Sequence, residues 1–177
     1  MTFSRLPLIF SLVLSVSCAK SKDDTAAGAD QPEWLFVVHA DQATLSDDVI
    51  SLTDVAPQVI AFTDRPDRLF GTITMEDLAA AWTEGADSFA DDPPNAILNG
   101  VITDDNGATT QCAIEVELMA APAAGEGEQW SWPVVELGRF DGCPVGEDVT
   151  LNSASLFVDV LVSGCVCADG CPWFFCN

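Results

Sequence analysis

The chain has 177 residues, of which 49% are hydrophobic, and its 28 Asp and Glu against six Lys and Arg give a formal net charge of −22. This composition is too apolar for a disordered chain, and the length suits one domain with a substantial core. Because so negative a surface repels phosphates and anionic lipid headgroups, the composition argues against binding to DNA, to RNA or to a membrane surface.

The N-terminal stretch MTFSRLPLIFSLVLSVSCAK has the pattern of an export signal. One arginine precedes an apolar run over residues 6–16, which is too short to span a bilayer as a helix. The end of the run resembles a bacterial lipoprotein signal, in which a small residue precedes a cysteine that is acylated and becomes the mature N-terminus. Ser17 and Cys18 match those positions, while Ser15 stands where that family usually has leucine. We therefore predict a signal peptide over residues 1–17 and lipid attachment at Cys18.

Residues 18–32 are mostly polar or small, which predicts a flexible tether between the acylated cysteine and a folded body. Ala19 resembles the outer-membrane sorting pattern of Gram-negative lipoproteins and implies an outer-membrane lipoprotein. Ordinary signal cleavage after Ser17 or Ala19 is the alternative, and it would leave a periplasmic or secreted protein.

Segments typical of β-strands dominate the rest of the chain and predict a β-rich domain over residues 33–164. The clearest is CAIEVELMA, residues 112–120, in which apolar and acidic side chains take opposite faces. The pair Asn106-Gly107 ahead of it predicts a tight hairpin with a type I′ turn. Further strands are predicted over residues 34–41, 49–55, 59–64, 68–74, 97–103, 130–137 and 149–162.

One helix is predicted among these strands. Thr74 and Asp77 have the spacing of a capping box, so the helix begins after Thr74, and Gly85 ends it. About eight strands with one short helix indicate a mainly β fold, either an antiparallel sandwich or an open barrel.

The seven cysteines favour disulfides in an oxidising compartment, because six remain once Cys18 carries lipid. Four of them lie within twelve residues as C-x-C-x3-C-x4-C, which favours a disulfide-pinned tail over residues 165–177. A zinc or copper site usually has C-x2-C pairs, so a soft-metal carrier is the alternative. Cys112 and Cys143 pair with each other or with the tail. The six are Cys112, Cys143, Cys165, Cys167, Cys171 and Cys176.

No motif in the chain indicates a reaction. The sequence contains neither a nucleophile elbow nor a Walker loop. Most general bases and activated nucleophiles use histidine or lysine, and the chain has one histidine and two lysines, so their scarcity argues against an enzyme. We therefore predict no catalytic residue, no cofactor and no metal site. His39 is interpreted as a satisfied or partly buried structural residue. Trp130 and Trp132 share a strand face, which favours core packing over a binding platform.

Two of the three arginines after residue 30 lie in the segment FTDRPDRLFG. Pro66 and Asp67 between them suit a turn that joins two antiparallel strands. The two guanidinium groups form either a structural staple to carboxylates of the loop before Pro93 or a clamp for an acidic ligand, and we favour the staple. The candidate residues are Asp64, Arg65, Arg68, Asp92 and Asn95.

The segment FTDRPDRLFG, the helix with AAAW and the segment DDPPNAILNG together resemble a family of uncharacterised exported bacterial proteins. Members of that family carry F-S-D-R-P-x-R and D-P-P-N-A motifs at similar spacing, and Thr63 stands here in place of the usual serine. The resemblance covers residues 34–118 and implies a shared exported module without a known reaction.

These patterns together predict a lipid-anchored cell-envelope protein whose β-rich module has a binding or structural role. The membrane is contacted through the lipid alone, no nucleic acid is bound, and the protein or small-molecule partner stays open. The alternatives are a secreted enzyme with an acidic cleft near Asp64, Arg65 and Asp92, and the soft-metal carrier.

Overall fold

The computed structural model describes residues 34–63, 68–83, 89–90, 92–140, 142–146 and 148–160. The predicted signal peptide, the tether with Cys18 and the cysteine-rich tail lie outside the described residues. Within them, nine strands and one helix confirm the mainly β prediction. In chain order the elements are β1 Trp34–Ser46, β2 Val49–Val55, β3 Val59–Thr63, β4 Phe70–Ile73, α1 Met75–Ala80, β5 Asn95–Thr103, β6 Thr109–Leu118, β7 Ala123–Ala124, β8 Trp130–Arg139 and β9 Val149–Val160.

The strands form one antiparallel sheet that curls round on itself. One edge of β1 pairs with β9 along almost its whole length. Its other edge is shared, because β3 pairs with the first four residues and β2 with the second half. From β2 the pairing continues through β8, β6 and β5 to β9. Because β2 pairs only with the second half of β1, and the first four residues of β1 pair with β3, the circuit does not close along the whole of β1, and the sheet is an open barrel and not a closed one.

Inward-facing side chains from the long strands and from α1 form one buried cluster. Phe36, Leu98 and Trp132 are among the fully buried side chains at its centre. Trp130 is partly buried and packs against the same cluster. The interpretation of Trp130 and Trp132 as core residues is therefore confirmed.

The helix begins as its sequence predicts and ends earlier. The Thr74 hydroxyl accepts the Asp77 backbone N–H, and the Asp77 carboxylate accepts the Thr74 backbone N–H, so both halves of the capping box are present. The helix then ends at Ala80, not at Gly85, which lies outside the described residues. After Ala80 the i to i−4 hydrogen bonds of the helix give way to turns with i to i−3 hydrogen bonds, such as the one from Trp82 N–H to Ala79 O at 3.2 Å.

The chain makes its left-handed two-residue turn at a place that the sequence did not predict. Asp47 and Asp48, between β1 and β2, have φ of 49° and 59°, as a type I′ turn requires. The hairpin containing Asn106-Gly107 is confirmed, but its predicted turn type is wrong. Only Gly107 of that pair is left-handed, and its N–H donates to the Asp104 carbonyl at 2.9 Å.

Asp104 is the physical reason for that difference. Its carboxylate accepts the backbone N–H groups of Asn106 at 2.9 Å and of Ala108 at 2.8 Å. This side chain closes a longer loop over residues 104–108, which a two-residue turn cannot accommodate. The same bonds, that of Ala108 first, hold the pKa of Asp104 below its ordinary value.

One disulfide joins Cys112 of β6 to Cys143, with the two Cα atoms 4.8 Å apart. Of the two pairings that the sequence allowed for these cysteines, the structure has the one with each other. The bond ties the segment after β8 to the middle of the sheet. The four remaining cysteines of the predicted set lie in the tail.

Candidate functional site

A crease crosses three neighbouring strands of the sheet. In each strand the alternation of buried and exposed side chains is interrupted by two consecutive residues that are not buried, after which the buried positions resume with shifted parity. The strand register continues unchanged across the interruption, so the three breaks lie at one level. The residues of the crease are Asp41 and Gln42 in β1, Thr53 and Asp54 in β2, and Asn152 and Ser153 in β9.

Two of the three strands have a left-handed residue at the crease. Asp54 has a φ of 53° and Ser153 a φ of 50°, and these two residues stand on opposite sides of Asp41. A left-handed residue breaks the two-residue alternation of a strand, so the side chains beyond it change faces. Next to β9, β5 passes the crease with Gly100, where an added Cβ would lie 2.8 Å from the Cβ of Leu151.

The crease opens a cleft of about 480 Å³ beside β1. Asp41, Asp54 and Glu128 are among the residues that line the cleft, together with Pro57. Two backbone hydrogen bonds fix the rim: Val55 N–H donates to Glu128 O at 3.0 Å, and Ala56 N–H donates to His39 O at 2.9 Å.

His39 lines the same cleft, and its ring Nδ1 lies 2.9 Å from the Ser155 hydroxyl on β9. The interpretation of this histidine as satisfied is right, because it has a hydrogen-bond partner. The expectation of partial burial is wrong, because the side chain is exposed. The reason is its strand position: His39 is on the face opposite Phe36 and Val38, and that face is the outer one.

The negative charge of the residues that line the cleft favours a positively charged ligand. The lining holds three carboxylates and one imidazole, and no lysine or arginine is among the described lining residues. The carboxylates come from β1, from β2 and from the segment before β8, so the fold and not a local motif gathers them. Sequence reasoning missed this site, because only the crease brings Asp41, Asp54 and Glu128 to one place.

The predicted arginine segment is flanked by the antiparallel pair β3 and β4. Thr63 N–H donates to Leu69 O at 3.0 Å, and Leu69 N–H donates to the Thr63 hydroxyl at 2.9 Å, which closes the connection between the strands. Arg68 is exposed with a left-handed φ of 53°, and it has no ion pair with another described residue. Asp64 and Arg65 lie outside the described residues.

Asp92 and Asn95, the other members of the predicted staple, are both exposed. Asn95 is the first residue of β5. The described residues do not show these two side chains gathered around Arg68, so the staple and the anion clamp both stay predictions.

The bidentate arginine pair that the described residues do contain is at Arg139. Its Nε lies 2.8 Å from Glu136 Oε1 and its Nη2 lies 2.9 Å from Glu136 Oε2, and Nη1 donates to the Pro144 carbonyl. These bonds to Glu136 raise the pKa of Arg139 above its ordinary value. Regular alternation would put the two side chains on opposite faces. A register shift opposite Glu115 and Val116 makes Leu137 an extra residue, which brings them together.

No three His, Cys, Asp or Glu side chains converge on a possible metal position within the part of the chain that the structure describes. None of the described helices has the length and hydrophobicity to cross a membrane. Comparisons of the chain with protein-family models, with curated proteins and with solved structures find no match. The resemblance to a family of exported bacterial proteins therefore stays a prediction.

Proposed function

We propose that this protein is a lipid-anchored cell-envelope protein whose open barrel binds a small cationic ligand in the crease cleft. The observation that carries the binding site is the cleft itself, which three acidic residues from separate segments line, with no lysine or arginine among the described lining residues. A primary or quaternary ammonium group is the ligand chemistry that such a lining attracts.

The size and the wall of the cleft support this proposal. A volume of about 480 Å³ is within the range of small-molecule sites, which are about 300–1,000 Å³. Ala56 and Pro57 offer apolar surface to the body of a ligand, while Asp41, Asp54 and Glu128 offer charge. The exposed imidazole of His39 adds a hydrogen-bonding group beside them.

Anchoring through Cys18 suits the charge of the body. At roughly 3.3 Å per extended residue, a tether over residues 18–32 reaches up to about 50 Å. The strongly acidic domain would thus stand clear of anionic lipid while the lipid keeps it at the envelope.

Calorimetric titration with 1,4-diaminobutane at low salt tests the binding site, with 1,4-butanediol as the uncharged control. We expect the diamine to bind and the diol not to. The Asp41→Asn/Asp54→Asn/Glu128→Gln triple variant should lose that binding. A matched triple variant, Asp47→Asn/Asp105→Asn/Glu76→Gln, removes the same charge from exposed positions that do not line the cleft. Equal weakening in both triples would show that the diamine is a counterion of the whole surface, and the cleft proposal would fall.

Detergent-phase partitioning of the expressed protein tests the anchor. The parent should enter the detergent phase and Cys18→Ser should stay in the aqueous phase, because acylation needs the thiol. If both variants are found in the aqueous phase, the lipid anchor is refuted while the cleft proposal is untouched.

The contact between Ser155 and His39 favours a second candidate, a hydrolase in which the imidazole activates the hydroxyl. Turnover of 4-nitrophenyl acetate should then fall to the buffer rate in Ser155→Ala and in His39→Gln. Equal rates for the parent and both variants exclude this candidate and leave the contact with a structural role.

A further inference from the structure

Beyond the cleft, the outer face of the sheet carries a cluster of apolar side chains. They belong to five adjacent strands, and we call them the outer apolar patch. Its members are Leu35, Val37, Ile60, Phe62, Phe70, Ile97 and Phe157.

The strand register places the patch in two rows. One row runs from Phe70 through Phe62 to Leu35, which are cross-strand partners in turn. The second row runs from Ile60 on β3 through β1 and Phe157 to Ile97 on β5, again through direct partners. Side chains opposite each other on one face of antiparallel strands touch, so the rows form one apolar cluster, in which Val37 is buried between Ile60 and Phe157.

Several of these side chains are far more exposed than a core residue. Phe70 is 85% exposed, Phe157 43%, Ile60 41% and Ile97 40%. A contiguous apolar surface of this kind on a soluble domain marks a surface that another segment or molecule covers.

We propose that the occupant is the C-terminal tail of the same chain, residues 161–177. This tail continues directly from β9, whose last residue Val160 pairs with Trp34. One step back along the strand, Asp159 pairs with Leu35, which is in the first row of the patch. The tail therefore begins at the edge of the surface that it would cover.

The reach of the tail is sufficient. Five adjacent strands at about 4.8 Å spacing span roughly 19 Å across the patch. The twelve residues 161–172, which precede Trp173, extend up to about 40 Å. Disulfides within the tail could therefore shorten it by about half, and Trp173 could still reach across the patch.

The composition of the tail matches the patch. It contains Trp173, Phe174 and Phe175 in succession, and Asp169 is its one charged side chain. A second copy of the chain is the less favourable occupant, because each copy has a net charge of −22 and the two would repel. The tail brings aromatic surface to the patch without that repulsion.

The disulfide at Cys112 strengthens the case. Because Cys112 and Cys143 are paired with each other, we expect the four cysteines of the tail to pair among themselves. Two disulfides within so short a segment would order it in advance, so less entropy is lost when its aromatic side chains dock.

Hydroxyl-radical footprinting of the oxidised full-length chain tests the docking. We expect Phe70 and Phe157 to be labelled several-fold more slowly in the parent than in the variant Trp173→Ser/Phe174→Ser/Phe175→Ser. Phe140, which is 53% exposed and lies outside the patch, is the matched control and should be labelled equally in both. A reciprocal variant, Phe62→Gln/Phe70→Gln, should raise the labelling of Trp173.

Equal labelling of Phe70 in the parent and in the tail variant, with no change at Trp173 in the reciprocal variant, would overturn the proposal. So would protection that rises with protein concentration together with a dimer in sedimentation, because the occupant would then be a second copy. Protection that is independent of concentration and lost in the tail variant supports it. The diamine titration tests the cleft separately, because neither the tail variant nor the reciprocal variant changes a residue that lines it.

Discussion

Asp54 and Ser153 flank β1 from opposite sides at one level of the sheet, and both have a left-handed backbone, with φ of 53° and 50°. The two residues are far apart in the sequence, yet their combined effect is one crease with a cleft. Left-handed geometry costs about 1–2 kcal/mol for a residue with a side chain, although less for aspartate than for most. The backbone at Asp54 and Ser153 therefore lowers the stability of the fold at the place where the cleft opens.

Replacing Asp54 with glycine should relieve that strain. We expect Asp54→Gly to raise the free energy of unfolding by up to about 1 kcal/mol, because glycine has no penalty at positive φ. Its neighbour Thr53 is the control: Thr53→Gly should lower the free energy of unfolding by about 0.5–1 kcal/mol. Chemical denaturation measures both. Equal losses in the two variants would mean that the Asp54 backbone is not strained.

Removing the disulfide between Cys112 and Cys143 should destabilise the domain. The bond spans 31 residues. For a loop of that length the chain-entropy estimate is roughly 3–4 kcal/mol, and native disulfides typically contribute about 2–5 kcal/mol. Thermal unfolding of Cys112→Ser/Cys143→Ser against the parent measures the loss, and an unchanged melting temperature would refute it.

Intact mass with and without reductant, on the same full-length chain, counts the remaining bonds. We expect three disulfides among the six cysteines other than Cys18, two of them within the tail. Four alkylatable thiols together with bound zinc or copper would instead favour the soft-metal carrier.

The Asp104 loop should give the protein a defined response to acid. The pKa of Asp104 is lowered in the folded state, so its contribution to stability is present above the unfolded pKa of about 3.9 and is lost as pH falls through the lower folded pKa. Asp104→Asn should therefore melt below the parent at neutral pH, and the difference should shrink in strong acid. Asp105→Asn, in the same loop, is the control. A difference that does not change with pH would contradict the assignment.

The bidentate ion pair between Arg139 and Glu136 should make the protein sensitive to replacement of Arg139 by lysine. The Arg139 side chain is 9% exposed and makes two parallel bonds to one carboxylate. Lysine keeps the charge and loses the second bond, so Arg139→Lys should cost about 1–2 kcal/mol of unfolding free energy. Glu136→Gln should cost a similar amount. A loss within about 0.5 kcal/mol, as for an exposed substitution, would show that the ion pair contributes little.

Of the two arginines in the predicted staple, Arg65 is the one whose replacement we expect to lower the free energy of unfolding. Because Arg68 is exposed, Arg68→Lys serves as the matched control and should change the free energy of unfolding by no more than about 0.5 kcal/mol. Arg65→Lys should cost more than that if its guanidinium holds a carboxylate of the loop before Pro93. If both variants melt like the parent and an acidic ligand no longer binds, the clamp replaces the staple.

Local patterns in the sequence determined most of the elements of this protein. Alternation of apolar and polar side chains located the strands, and the Thr74 and Asp77 spacing located the start of α1. Both signals depend on residues a few positions apart, and so they can be read without knowing the fold. The acidic surface and the even number of cysteines beyond Cys18 also follow from the sequence alone, because both depend only on composition.

The tertiary structure decided what those elements form. His39 and Ser155 are 116 residues apart, and β1 must pair with β9 before they meet. The extra residue at Leu137 depends on the pairing of β8 with β6, and the crease depends on β2 and β9 lying on either side of β1. A one-residue change of register moves every following side chain to the other face, and no local pattern reports it. At the crease the register is unchanged, and the cleft exists because the buried and exposed faces change over at one level in three neighbouring strands.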